Sequence, residues 1–576
     1  MNVIDKGPCV VRRDRTVLLD CRHPEFDAVR DRLPVFAELV KSPPLYHTYR
    51  ITPLTLWNAA ALGAAPDEII DSLEQWSGRG LPSGLEDEIR LLMSRYGRLT
   101  LHASDGSGEL LLRSDSDELL NEHEVRQTAE ACGFQRTGRL EMAGSAACRG
   151  LLKQELARAG YPVLDQAGYH EGEALDIRWK EGDSAFELRE YQREAARRFG
   201  ISGSSGIAVL PCGAGKTIVG LAALEELKCE TLVLTSNATS VRQWTEELLK
   251  RTNLSPESVG EYTGERRQVR PVTVATYQML THRTSKEGGF SHMGLFNERN
   301  WGLIVYDEVH LLPAPVFRAT AEIQATRRLG LTATLVREDG REGDVFSLIG
   351  PKVYDCPWKT LERQGWIAAV QCVEVQVPME PELKKRYLYA APKEKFRLAS
   401  ANPSKAETAV KIIEAHKGAS ILVIGQYLDQ LAGLAAIIGA PVITGKTPQQ
   451  ERIELYNRFN AGVLPVLIVS KVANFAVNLP DASVAIEVSG AFGSRQEEAQ
   501  RLGRVLRPKQ GANRAFFYTL VTEDSREQEF ALKRRLFLTE QGYEYAVMQK
   551  PDSAAQEFNL LPDCGNPHEQ EASGSL

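Results

Sequence analysis

The sequence is short of the features that mark a secreted, metal-clipped or membrane-spanning chain. Its nine cysteines in 576 residues (Cys9, Cys21, Cys132, Cys148, Cys212, Cys229, Cys356, Cys372 and Cys564) form no CxxC pair and no repeated spacing. That excludes a zinc ribbon, a four-cysteine iron–sulfur cluster and a disulfide framework, and reads as thiols kept in a reducing compartment. Long hydrophobic runs are missing too. The greasiest stretch, 421–443, is broken by Asp429 and two glutamines, so no membrane span is expected. Met1 to Arg15 is charged almost at once and has no apolar signal core, which gives the expectation of a cytoplasmic protein. Neither sign of charge dominates, with 69 Lys+Arg against 76 Asp+Glu and a net charge of −7. Binding by bulk positive charge is thereby excluded, whereas a basic groove on an acidic exterior is not. What is present is an ordinary globular composition, 43% hydrophobic and 25% charged, in a length that suits roughly four domains of ~150 residues.

From about Glu187 onward, short β-branched apolar runs alternate with amphipathic stretches. The runs 207–210, 231–235, 272–276, 303–306 and 329–332 form one series; 421–424, 441–444, 466–470, 484–488 and 516–520 form a second. Brief apolar runs separated by helical patterns predict strands buried on both faces of parallel sheets, hence two open α/β domains. Before Glu187 the spacing predicts three short helices over 54–62, 67–76 and 85–96, then a hairpin of 98–101 with 110–113. Helices followed by a two-stranded wing give the expectation of a winged-helix-like module, and 124–180 reads as a further small α+β unit. The tail 551–576 is Ser/Glu/Gln/Pro-rich and reads as disordered.

The sharpest chemical signal is Leu210-Pro211-Cys212-Gly213-Ala214-Gly215-Lys216-Thr217, set between an apolar strand and a helix. Glycines there let backbone N–H groups turn inward around phosphate oxygens, with the helix N-terminus adding positive potential. Lys216 would reach the β- and γ-phosphates of ATP and the Thr217 hydroxyl would hold Mg²⁺. The string departs from the strict phosphate-loop pattern, since Leu210 stands at the first glycine position. Farther on, Leu303-Ile-Val-Tyr-Asp-Glu-Val-His310 ends an apolar strand in two carboxylates. Asp307 can orient Mg²⁺ through its waters, and Glu308 can position and deprotonate an attacking water. An acidic helix cap is the plain alternative, but two such motifs in one βα series predict a single ATP site.

Two further strings, Leu331-Thr-Ala-Thr-Leu335 and Gln496-Glu-Glu-Ala-Gln-Arg-Leu-Gly-Arg-Val-Leu-Arg507, complete a set that resembles superfamily 2 helicases of the DExH kind. The resemblance implies Arg504 and Arg507 as arginine fingers and Gln500 as a γ-phosphate sensor. It narrows at Arg337-Glu-Asp339, which is similar to the RED motif of the XPB (xeroderma pigmentosum group B) helicases. Ser470-Lys-Val472, Tyr49-Arg-Ile-Thr-Pro-Leu-Thr-Leu-Trp-Asn58 and 383–405, ending Ala401-Asn-Pro-Ser-Lys405, also resemble that family, the last where it carries a thumb-like insertion. Membership implies an ATP-driven 3′→5′ DNA helicase or double-stranded DNA translocase with two tandem RecA-like parallel-sheet domains, preceded by small α+β, winged-helix-like N-terminal modules. The expected division is 1–123 and 124–180 for the N-terminal modules, the second at the family's damage-recognition position. Residues 181–365 and 366–550 then form the two helicase domains, and 551–576 the tail.

By the same resemblance, Arg242, Thr276, Arg337, Asp339, Gly445 and Lys471 would contact DNA, and Gln192 the adenine edge. Short hydroxyl, amide and cationic groups suit a motor that grips phosphates without reading bases. For any single one of these contacts an ordinary helix cap or surface charge is the plain alternative, and for Arg337 with Asp339 a salt-bridged surface turn. His310 would link the nucleotide site to its surroundings without ligating metal. Two positions depart from the family pattern: Asn478 where Asp is usual, and Glu487 where Gln is expected. The expected partners are duplex, forked or single-stranded DNA and a nuclease, with the protein itself a monomer. The alternative reading is an ATP-gated DNA-binding scaffold that opens DNA locally or recruits a nuclease without processive unwinding.

Overall fold

The computed structural model describes residues 7–41, 45–104, 108–180, 187–282, 291–312, 316, 320, 323, 326–333, 342–470, 482–490, 502–503, 513–540, 543 and 545–549. It divides into two compact units, Met1–Ile367 with Ser494–Gly503 and Arg535–Tyr543, and Ala368–Gly493 with Arg504–Arg534 and Glu544–Leu576.

In the first unit, a seven-stranded parallel sheet runs in the order Val259–Tyr262, Val272–Thr276, Thr231–Thr235, Leu303–Asp307, Arg327–Thr332, Ser205–Val209, Lys352–Asp355. Its central strands are largely apolar and buried, as strands covered on both faces are. Leu232, Leu234, Ile304, Tyr306 and Ile207 are all buried in one core. The loops at the carboxyl ends of Ser205–Val209 and Leu303–Asp307 therefore open on the same sheet edge, with Arg327–Thr332 between them. That edge is where open α/β sheets bind ligands.

Two smaller sheets precede it. Cys9–Val11, Thr16–Asp20, Tyr46–Arg50 and Glu38–Lys41 pair antiparallel. The helices Pro53–Ala61, Pro66–Ser77 and Leu85–Ser94 pack on them, so that Leu56, Leu73 and Ile89 share a core with Val17 and Leu19. The hairpin Leu99–Ala103 with Glu109–Ser114 does form, but it sits inside a five-stranded sheet with Gln135–Gly138, Glu141–Ser145 and Val163–Asp165. Its Leu99, Leu101, Leu110 and Leu112 join a separate core containing Phe134, Leu152 and Leu156. The winged-helix expectation is thus corrected: helices and hairpin belong to different cores. The expected boundary at 123/124 cuts through the five-stranded sheet. This second module docks through its helix Arg149–Arg158 on the helix Glu342–Leu348 of the helicase domain, where Gln154 Nε2 and Arg158 donate to Asp344 at 2.6 and 3.0 Å.

The second unit holds another parallel seven-stranded sheet, ordered Val442–Ile443, Val466–Ser470, Ile421–Gly425, Val484–Glu487, Arg514–Thr522, Ala369–Val377, Tyr545–Gln549. The expected thumb-like insertion is a pair of helices, Pro381–Tyr389 and Pro392–Ser400. The string Asn402-Pro-Ser-Lys405 that follows is structural. Lys405 is fully buried, its Nζ donating to both Glu527 oxygens at 2.8 and 2.7 Å and to the Val488 carbonyl at 3.1 Å. Glu487, the unexpected acid, is buried as well and faces the Arg534 guanidinium at 3.7 Å. A carboxylate there supplies a counter-charge. Among the described residues no helix is long and apolar enough to cross a membrane.

Candidate nucleotide site

The loop 210–215 leaves the strand Ser205–Val209 and enters the helix Lys216–Leu227. Gly213 and Gly215 have φ of +82° and +79°, the left-handed region that side chains disfavour, and their alternation with ordinary residues bends the chain into a cup. A Cβ on Gly215 would come within 2.6 Å of Gln192 Nε2, so the position also needs glycine for space. Two groups brace the loop from outside. Tyr191 OH and Gln192 Nε2 both donate to the Ala214 carbonyl, at 2.7 and 2.9 Å. Gln192 Oε1 accepts from the Arg189 backbone at 3.2 Å. Gln192, expected at the adenine edge, braces the loop in this structure.

Lys216 Nζ lies 3.4 Å from Glu308 Oε1, which brings the loop cation and the candidate base together. Burial alone would push the Lys216 pKa down. The carboxylate of Glu308, with Cys212 and Asp307, more than reverses this and holds the amine charged. Asp307 is shifted upward by its own burial and by the charge of Glu308, against the opposing pull of a Trp244 hydrogen bond and Lys216. Its placement is tightly determined: Trp244 Nε1 donates to Oδ2 at 2.9 Å, and Tyr277 OH donates to its carbonyl at 3.0 Å. Glu308 adopts a left-handed backbone, φ 52° and ψ 53°, uncommon for a side-chain-bearing residue and typical of sites that hold a group in one direction. The buried His310 ring places Nδ1 2.7 Å from Thr332 Oγ1 and 3.5 Å from Glu308 Oε2. It ties the acid pair to Thr332 at the end of the neighbouring strand.

Among the described residues no group of three or more His, Cys, Asp or Glu could hold a metal unaided. A cup of backbone amides beside Asp307 and the Thr217 hydroxyl fits a hard cation of the Mg²⁺ kind, which takes one or two protein oxygens and completes its shell with phosphate and water.

The remaining expected residues divide. Arg242 is on the surface, paired with Glu265 at 3.3 Å, and Gly445 is exposed in the turn between Val442–Ile443 and the next helix. Thr276, expected at the DNA track, is buried, and its hydroxyl accepts from Met279 N at 3.4 Å as the cap of the short helix Tyr277–Leu280. Arg337, Asp339, Lys471, Asn478, Gln500, Arg504 and Arg507 lie outside the described residues. Trp244 and Tyr277 were not foreseen as holders of Asp307, although both stand in strings read as loops after strands.

With this geometry in place, the chain can be compared with known proteins. Residues 361–570 match the family model described as ERCC3/RAD25/XPB C-terminal helicase. Residues 185–337 match the type III restriction enzyme, res subunit, and residues 9–138 a model described as helicase conserved C-terminal domain. The chain is similar to the DNA 3'-5' helicase XPB of Kineococcus radiotolerans, 50% identical over 547 residues that cover 95% of this chain and 97% of that one. It is 49% identical to the Mycobacterium tuberculosis protein of the same name over 546 residues, covering 95% and 98%. To the general transcription and DNA repair factor IIH helicase/translocase subunit XPB/SSL2 of Saccharomyces cerevisiae it is 32% identical over 603 residues, covering 93% and 71%.

Proposed function

The chain belongs to the XPB family of helicases, and from that premise we propose that it is an ATP-dependent 3′→5′ DNA helicase or double-stranded DNA translocase in which Lys216, Asp307 and Glu308 do the chemistry. The observation that carries the assignment is the 3.4 Å pairing of Lys216 with Glu308 beside a glycine cup. Without phosphate, the ammonium neutralises the base. An arriving triphosphate competes for Lys216, which releases the Glu308 carboxylate to accept a proton from water. Mg²⁺, held by Thr217 and Asp307, would neutralise charge on the phosphate oxygens. Pro211, Cys212, Gly213, Ala214 and Gly215 supply the backbone of the cup, and Gln192 braces it.

Gln500, Arg504 and Arg507 enter the proposal on family resemblance, as γ-phosphate sensor and transition-state cations. Arg242, Arg337, Asp339, Gly445 and Lys471 enter as contacts to the DNA track. Action as a cytoplasmic monomer, with a nuclease as partner, completes the proposal. Sedimentation with and without forked DNA checks the oligomeric part.

ATP turnover with and without DNA is the direct test. Lys216→Ala should lower DNA-stimulated turnover by at least about a hundredfold, and Glu308→Gln by about 10²–10⁴-fold with nucleotide binding retained. Wild-type turnover in Glu308→Gln would remove the base assignment. A strand-displacement assay beside it separates the motor from the scaffold alternative, which predicts DNA-stimulated hydrolysis without displacement.

A further inference from the structure

Trp57, Trp301 and Trp244 each give their ring N–H to a protein acceptor, and the acceptor of Trp244 is of a different kind from the other two. Trp57 donates to the Leu92 carbonyl at 3.1 Å and Trp301 to the Leu295 carbonyl at 2.9 Å, the ordinary way to satisfy a core indole. Trp244 donates to the Oδ2 of Asp307, a carboxylate 63 residues away in sequence. The approach has been cleared for it. Gly220, in the helix that follows the phosphate cup, would place a Cβ 2.3 Å from the Trp244 Cη2, so any larger residue there would push the indole aside. Trp244 thus touches the cup helix Lys216–Leu227 and the acid at the end of Leu303–Asp307, while belonging to the helix Ala238–Arg251. At 100° per residue, Arg242 lies about 200° around that helix from Trp244, which puts the surface cation and the buried indole on opposite faces.

We propose that Trp244 is a positioning residue that pins one oxygen of Asp307, leaves the other aimed at the nucleotide-bound cation, and carries DNA engagement at the Arg242 face to the metal-holding acid. The indole bond at Oδ2, together with the Glu308 backbone N–H that also bonds this carboxylate, narrows the orientations Asp307 can adopt. Any shift of the helix Ala238–Arg251 on DNA must then move the acid with it or break a buried charge-assisted hydrogen bond. This inference rests on the ATP-site reading and on the Arg242 contact to DNA proposed above.

The test uses the full chain, a fluorescent ADP analogue with and without Mg²⁺, and Trp244→Phe, whose ring still fills the space against Gly220 but has no N–H. The wild type should bind the analogue more tightly with Mg²⁺. Trp244→Phe should keep its metal-free affinity, lose about tenfold of the Mg²⁺-dependent gain, and show a ratio of DNA-stimulated to basal turnover at least about threefold lower. As a measurement independent of the variant's folding, wild-type protein labelled with 5-fluorotryptophan should show one ¹⁹F resonance that moves with Mg²⁺ and ADP together and not with ADP alone. A variant with wild-type Mg²⁺ gain and stimulation ratio, or fluorine resonances indifferent to Mg²⁺, would overturn the role of Trp244 and leave the ATP site standing. Absence of any Mg²⁺ gain in the wild type would instead remove the ATP-site reading, and this inference with it.

Discussion

A glutamate stands at 308 on a backbone that glycine would tolerate better, and the cost, on the order of 1–3 kcal/mol, is held in place by its neighbours. The same residue-scale logic of burial against charge governs His47 in the N-terminal sheet. It is buried, packed edge-on against Phe26 at 5.0 Å, and its pKa is lowered to about 4, first by loss of solvent and then by the like charges of Arg30 and Arg535. The unfolded chain takes up its proton near 6.5, before the folded one does. The contribution of His47 is therefore complete above pH 6.5 and is lost as pH falls through 4. By pH 5 the loss amounts to about 2 kcal/mol. Urea melts at pH 7.5 and 5.0 should show a difference that shrinks by that amount in His47→Phe. Parallel pH dependence in the two proteins would rule the effect out.

At the scale of elements, the five-stranded module is fastened by a buried charge cluster. Asp165 accepts from Arg149 at 2.9 and 2.7 Å and from Lys153 at 2.8 Å, all three side chains almost without solvent contact. Burial alone would raise the Asp165 pKa, but the two cations hold it well below the usual range. Burial lowers Lys153 to about 8, against the pull of Asp165. Asp165→Asn leaves two cations facing an uncharged amide, so the module should lose about 3–5 kcal/mol, read as a lowered melting transition. An unchanged melt would mean the pairing contributes nothing net. Such long-range fastening is also where the sequence is least legible. Strands 231–235, 272–276 and 466–470 could be read residue for residue, because short β-branched runs buried on both faces have no competing pattern. Ala369–Val377 could not, since Gln371, Glu374 and Gln376 interrupt its apolar run. The hairpin 99–114 was legible, but not the core it joins, because that depends on Phe134, Leu152 and Leu156. The cup and the acid pair were legible because each is a local string. The Trp244 bond to Asp307 was not, because only the folded sheet brings them together.

At the scale of the whole molecule, a net charge of −7 must be reconciled with a polyanionic substrate. Bulk attraction is unavailable, so affinity for DNA must come from a few local cations set among acidic surroundings. Arg242 shows the arrangement: it is exposed yet shares its charge with Glu265 at 3.3 Å, a pairing that phosphate would have to displace. Lys446, exposed beside Gly445 in the second unit, is another surface cation, its backbone N–H tied to Thr444 Oγ1 at 3.2 Å. Each phosphate contact contributes about one unit to the slope of log affinity against log salt, independent of base sequence. The DNA concentration giving half-maximal ATPase stimulation should therefore rise steeply with salt. Arg242→Ala and Lys446→Ala should each flatten that slope by about one unit, equally on duplexes of unrelated sequence. Glu265→Ala should do the reverse, tightening binding at low salt by freeing Arg242. A slope unchanged in both cation variants would place the DNA track elsewhere on the surface.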